Sequence, residues 1–484
     1  MLGFVGQRSS SIFLYRGFCH PLRSFPGPFL ARISKFWTCQ IHIGGEYHRE
    51  VRKLHEEYGD ILRVGPNELD INDVEAIKLL YGISSKCIKG PWYDGPASAG
   101  DTRSIQSTRD HVTHRWRRGI WAQSNSVAAI NEFQPLLLEH IDEFVKMMSV
   151  SKEIDIGQSF TFLSFDIMGD LAFGESFDML KTGKSHRFMT ILHRFMKMLS
   201  ILSAVPWITS LIDLLPAGGD IKEFENIARD CINRRRAKGS SRKDIFYYLL
   251  GEDKETGSRL NELELVMDSR TAIVGGSDTT SIALGYVTYD NDTFQLLTPF
   301  SCLFYYLILH QDKYKKLQAE VLQHPESPDN SWLGSLPYLN AVIQEGLRLM
   351  PPVPQGLQRV VPPGGMQIAG KWIPGKTLVS VSPFTVQRDP RNFAQPDTFI
   401  PERWLGEGPE PCNKDAWIPF SIGNYGCIGK QLALSELRHI TSAVVRNYDL
   451  HFAPGFNVEG FEMSVKNDFT MTPPSVQVVL SPRS

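Results

Sequence analysis

Through the first three hundred residues, apolar positions recur three and four apart, the period of a helix with one buried face. "EYHREVRKLHEEYG", "FQPLLLEHIDEFVKMM" and "DSRTAIVGGSDTTSIAL" all carry that pattern. Near Leu62, and again from Met366 to Val381, it gives way to short β-type runs separated by Gly and Pro. Asp389 to Asn413 reads as loop, and "NRRRAKGSSRKD" as a solvated basic loop before a helix starting near Asp244. The pattern predicts a mainly α fold with small β-sheets (α+β), without an internal repeat or a dividing linker.

Composition refines this only slightly. Apolar residues make up 42% and charged residues 21% of the 484, ordinary for a chain with a large core. A formal charge of −2 gives no sign of nucleic-acid binding. The seven cysteines are scattered, odd in number and without metal-type spacing, which argues for a reducing compartment and against a disulfide framework. Arg8, Arg16 and Arg23 interrupt the N-terminal apolar stretch, well short of the roughly 20 residues of a helical span. No signal-peptide core is evident there either. Met198 to Leu215 is apolar too, but Pro206 splits it and Asp213 charges it, so it reads as an interfacial or buried helix pair.

Several stretches carry candidate chemistry. Gly370 to Thr377 matches a phosphate loop letter for letter, yet the β-branched "TLVSVSP" that continues from it predicts a strand, and Pro374 lacks an N–H. A nucleotide site is therefore not expected. In "PFSIGNYGCIGK", Cys427 precedes a run with Leu432, Leu434, Leu437 and Ile440 at helical spacing. A thiol at a helix start is expected to have a lowered pKa, and Gly423, Gly426 and Gly429 to supply positive φ and close approach. A buried structural cysteine in a glycine loop is the competing reading. "AIVGGSDTTSIAL" places Gly275 and Gly276 mid-helix, each costing about 1 kcal/mol against alanine, ahead of Asp278, Thr279 and Thr280. Glu345 and Arg348 share a helix face, and Arg403 in "PERW" is a candidate third member of that pair.

These four motifs, in this order, resemble the cytochrome P450 family of haem-thiolate monooxygenases. Phe420, Gly423, Cys427 and Gly429 fit F-x-x-G-x-R-x-C-x-G; "GGSDTT", "EGLR" and "PERW" fit the other three patterns. The similarity runs from "FPGP" at Phe25 to the C-terminus, giving a haem domain over residues 25–484 behind a short segment 1–24, an incomplete membrane anchor. "KGPWYDG" and "HPLRSFPGPFLARISKFW" look most like fungal members of secondary metabolism.

The resemblance implies haem b (iron protoporphyrin IX) between a long distal helix and the cysteine loop, with Cys427 as axial thiolate. Phe420 would pack beside the thiolate. Gly275 and Gly276 would let dioxygen sit against the distal helix, Thr279 would hold its hydrogen-bond network, and Asp278 would feed protons. Glu345, Arg348 and Arg403 would be structural. Arg359, His114 and Arg118 would pair with the haem propionates. Two departures follow. Tyr425 stands where the family has Arg or His, so anchoring is expected to be weaker there. Too little apolar sequence precedes the proline hinge, so either the start is truncated or attachment relies on surface helices such as Met198 to Leu215.

The implied reaction inserts one oxygen atom into an apolar small molecule, with electrons from an NADPH-cytochrome P450 reductase at the cytosolic face of the endoplasmic reticulum membrane. An isomerase or dehydratase is the alternative, against which the Asp278–Thr279 pair argues. A third reading, a weakly active haem protein, comes from "GYVTYDNDTFQLLTPFS", which interrupts the distal helical pattern. Removing Tyr286 to Ser301 joins Gly285 to Cys302 and restores it. Gly-Tyr-Val can be encoded with a GTATGT donor, Leu297-Thr298 with a CTAAC branch site, and Phe300-Ser301 with an AG acceptor. The segment 286–301 thus reads as a retained intron that keeps the frame, against a genuine loop. Substrate contacts are expected around Pro91 to Gly100, from Met198 to Leu215 and after Pro351.

Overall fold

The computed structural model describes residues 11–94, 102–207, 217–239, 242–279, 302–323 and 329–483. The segment 286–301 lies outside them, as do residues 208–215 of the second apolar stretch and the side chain of Asp278. The helices of eight or more residues are α1 (Phe36–Gly44), α2 (Tyr47–Tyr58), α3 (Val74–Tyr81), α4 (His111–Ser124), α5 (Val127–Val150), α6 (Ile156–Phe173), α7 (Arg187–Leu202), α8 (Ala217–Ala237), α9 (Glu262–Ile273), α10 (Cys302–Leu309), α11 (Gln311–Leu322), α12 (Pro337–Leu349) and α13 (Lys430–Asn447). One large apolar core joins most of them. α6 is buried on nearly every side, which its near-continuous apolar sequence requires. α13 buries Leu432, Leu437, Ile440 and Val444, one helical face.

A second, smaller core sits under a five-stranded sheet. Its order is β1 (Ile61–Gly65), β2 (Glu68–Ile71), β8 (Leu378–Ser380), β5 (Arg359–Val360) and β3 (Ile88–Lys89). Only β2 and β8 run parallel. The phosphate-loop look-alike leads into β8, so no helix N-terminus faces it. The proline hinge packs on β1: Arg63 N–H donates to the Pro26 carbonyl (2.7 Å), and a side chain on Gly27 would meet the Arg63 carbonyl oxygen at 2.4 Å.

The basic run differs from its expected loop. Residues 233–237 form the last turn of α8, where cations complement the helix dipole. Arg235 is buried and bonds Asp244 at 2.6 and 3.2 Å. Among the described residues no helix is long and apolar enough to cross a membrane. Phe36 and Trp207 are exposed beside each other, ring centroids 6.2 Å apart.

Glu345 on α12 ties this helix to the loop before the cysteine. Arg348 meets it bidentately, both bonds 2.8 Å. Arg403 Nε (3.1 Å), Trp404 Nε1 (2.9 Å) and the Ile400 N–H (2.9 Å) also donate to it. Arg348 additionally reaches the carbonyls of Gln387, Pro396 and Thr398. Glu345, Arg348 and Arg403 are fully enclosed, so removing one partner strands a buried charge. Arg348→Met is expected to cost about 3–5 kcal/mol. Arg403→Met, which leaves the bidentate pair intact, should cost about 1–3 kcal/mol. Urea-unfolding midpoints of the two variants test this; equal losses would contradict the ranking.

Candidate active site

A cavity of about 300 Å³ lies between the end of α9 and the start of α13, lined mostly by apolar side chains. On one side α9, capped reciprocally by Asn261 and Glu264, passes at Val274–Asp278 into a π-type turn. Such turns widen a helix locally and concentrate at functional sites. Gly275 has open space where a side chain would stand, whereas a side chain on Gly276 would meet Met168 of α6 at 2.4 Å. The two glycines therefore differ from their expected common role: Gly275 opens the cavity, and Gly276 lets α6 approach. Thr279 faces the cavity and donates to the Gly275 carbonyl, leaving its oxygen lone pairs available to a cavity group.

Opposite lies the cysteine loop. Cys427 stands two residues before Gly429, the N-cap of α13, and its N–H donates to the Phe420 carbonyl (2.8 Å). Only Gly423 of the three loop glycines has positive φ (67°), and a side chain there would meet the Tyr81 carbonyl oxygen at 2.2 Å. A side chain on Gly426 would meet the backbone of Ile422 and Gly423 at 3.2 Å, whereas one on Gly429 would meet nothing nearer than Asn125 Oδ1 at 4.0 Å. The expected positive φ is thus confined to Gly423. Phe420, Cys427 and Gly429 line the cavity; Gly423 instead seats the loop on α3.

Cys427 is exposed along the cavity wall yet lies deep in the protein. Burial is the largest influence on its thiol and raises its pKa. The N–H groups of Gly429 and Lys430 and the charges of Arg118 and Lys430 only partly oppose this. The lowered pKa expected from the helix start is therefore absent. Coordination to a metal cation deprotonates a thiol outright, without help from the loop.

The far end of the cavity is cationic. His114 and Arg118, both on α4, line it, and Arg118 Nη1 donates to the Gly426 carbonyl (2.8 Å). Burial, then the charges of Lys89 and Arg118, pull the His114 pKa down to about 2, so its ring is neutral. Arg359 is buried one layer behind the wall, its guanidinium 4.8 Å from the Tyr81 ring and 5.1 Å from that of Tyr425. Its Nε and Nη2, and the Tyr425 hydroxyl, are buried without a partner. Glu345, Arg348 and Arg403 stand away from the cavity. Further walls of the cavity come from Tyr93, Ile105, Met196, Val353 and Leu357. Phe469, at the tip between β10 (Lys466–Asp468) and β11 (Thr470–Thr472), joins them with φ of 79°. Nothing in its local sequence marked it.

The cytochrome P450 family model matches residues 26–290 and 295–480. The chain belongs to the cytochrome P450 family. Cytochrome P450 monooxygenase FCK2 of Fusarium pseudograminearum is 36% identical over 485 residues, covering 98% of this chain and 84% of that protein. Tryprostatin B 6-hydroxylase of Aspergillus fumigatus is 32% identical, covering 98% and 83%. The heme domain of cytochrome P450DA superposes with a TM-score of 0.77 at 19% identity, covering 92% of this chain and 95% of that one, which establishes the fold. The cytochrome P450 chain is accordingly an oxygen-incorporating oxidoreductase, and family and fold imply a thiolate-ligated haem.

The cavity suits that group: a thiol at one wall, an open helix turn opposite, and buried donors without partners at the cationic end. When bound, the haem supplies oxygen activation. The protein's part is to exclude water with apolar walls, hold Cys427 in place through the Phe420 carbonyl, and present Thr279 to the cavity. The loop seating predicts a contrast. Gly423→Ala forces a left-handed alanine, about 1–2 kcal/mol, plus the clash with Tyr81. Gly429→Ala alters an uncrowded N-cap and should cost less than about 1 kcal/mol. Thermal unfolding and haem content of both variants check this, and a tolerant Gly423 would contradict it.

Proposed function

We propose that this cytochrome P450 inserts one atom of dioxygen into an apolar small molecule of secondary metabolism, with haem held by Cys427 and electrons from a separate NADPH-dependent reductase. The observation that carries the reading is Cys427 on the wall of a largely apolar cavity, opposite the opening at Gly275 and Thr279. Support for the substrate class comes from those walls, which select by shape and hydrophobicity, and from a relative named for hydroxylating tryprostatin B. Thr279 at the cavity favours oxygen activation over isomerisation. In this reading Asp278 passes protons toward Thr279, and Arg118 and His114 face the haem carboxylates. Cys427→Ala should abolish the thiolate-type carbon monoxide difference spectrum, while Cys412→Ala retains it. The reverse behaviour would overturn the assignment of Cys427.

A second proposal concerns residues 286–301, read as a retained intron. Residues 291–294 within the segment fall outside the family match, which covers 286–290 and 295–301, and a fully apolar helix, α10, starts at Cys302. Amplified cDNA across codons 280 to 305 should yield a transcript lacking the segment. If every transcript keeps it and the longer protein turns over fully, the segment is a genuine loop.

A further inference from the structure

Gln355 is a buried amide on the cavity wall, and its donor end has no occupant in the protein. After Pro352, the alternate residues Val353, Gln355 and Leu357 line the cavity, the two-residue repeat of an extended chain. Their neighbours turn away from it. A side chain on Gly356 would meet Ser380 Cβ of β8 at 2.5 Å, and Gln358 Nε2 donates to Glu68 (2.7 Å). Gln355 is thus the polar member of an apolar inward row, and it is only 4% exposed. Its Oε1 accepts from Asn467 Nδ2 (3.3 Å), while its Nε2 donates to nothing among the described residues.

Asn467 fixes which end of the amide faces inward. It is fully enclosed on β10, where its N–H donates to the Gly45 carbonyl (2.8 Å) and its Oδ1 has no partner. Turning both amides over would strand the Asn467 NH2 group instead, and proteins tolerate an orphaned buried N–H less than such a carbonyl. Gln355 therefore presents N–H to the cavity, and burying that group without an acceptor is costly. The acceptor does not come from the cationic end. Its cations stand on α4 and β3, whereas β10, which holds the Gln355 amide, packs on α1 and α7. Carboxylates of a haem are drawn to those cations, and the remaining porphyrin edge is hydrocarbon. We propose that Gln355 donates a hydrogen bond to a carbonyl oxygen of the substrate, so that the enzyme selects and orients apolar frames bearing a ketone or amide. A carbonyl satisfies the N–H without bringing a donor of its own into apolar walls. A site built around such a bond rejects the analogue that lacks it.

The role of Gln355 rests on the haem-thiolate reading, and the experiment separates the two. Haem-loaded protein is titrated with fluorenone and with fluorene, the same tricyclic frame with and without a carbonyl, and binding is followed by the shift in haem absorbance. The ratio of the two dissociation constants should move about tenfold toward the hydrocarbon in Gln355→Leu, as expected for one deleted hydrogen bond. Haem content and the carbon monoxide spectrum of that variant should match the unsubstituted protein. If Gln355→Leu does not fold, Gln355→Met, which keeps an unbranched chain of similar length, is measured in the same way. An unchanged ratio, or no response to either compound, overturns the role of Gln355. Faster haem loss to apomyoglobin at an unchanged ratio would place the amide on a haem carboxylate and overturns it too. Haem uptake without a thiolate-type carbon monoxide spectrum in the unsubstituted protein overturns the Cys427 reading instead.

Discussion

The carboxylate of Glu345 is the buried anion on which the place of the cysteine depends. Bonds from Arg348, Arg403, Trp404 and Ile400 converge on its two oxygens. The indole of Trp404 packs edge-on against Trp417 (5.9 Å), and Trp417 against Phe420 (6.0 Å). Trp417 also donates to the Gln344 carbonyl, and Gln387 bridges the Leu347 and Arg348 carbonyls to the Ile418 N–H. Phe420 then accepts the Cys427 N–H. A helix of the core thus sets the sulfur's position through a chain of contacts whose polar groups are satisfied, the condition under which a buried network rigidifies rather than weakens a fold.

The cavity has the opposite character at its far end. There Lys89, Arg118 and Arg359 lack carboxylate partners among the described residues, and Tyr425 has an unpartnered hydroxyl. One buried polar cluster is closed and positions the loop; the other is open and suited to an anionic ligand. The difference follows from which acids are near: Glu345 serves the first, and Asp268 is already taken by Arg117 and Trp121. Asp268 also fixes Ile105, whose carbonyl receives Lys89, so the cavity wall at Ile105 and the cationic end share one anchor.

Much of this was legible because the informative residues lie close together in sequence. Cys427 with its glycines, Gly275 to Thr279, and Glu345 with Arg348 each read as a local pattern on one element. What was illegible depended on tertiary neighbours. Lys89 lies in a two-residue strand, and only the register with Arg359 gives it meaning. Arg235 looked like a solvated charge, but the fold returns Asp244 to it. Gly276 and Gly429 looked like functional glycines of the same kind as their neighbours. Whether a side chain fits at either depends on Met168 of α6 in one case and open space in the other. The Cys427 thiol was misjudged because a helix start is visible in sequence and the depth of burial is not.

The central claim is that the Glu345-anchored loop presents Cys427 to the metal of a haem held in this cavity. Iron-edge X-ray absorption of the haem-loaded protein tests it directly, because it reports the atoms bonded to iron independently of turnover. The account predicts one sulfur neighbour in addition to the porphyrin nitrogens. A first shell of nitrogen and oxygen alone, in protein retaining its native fold, would contradict it.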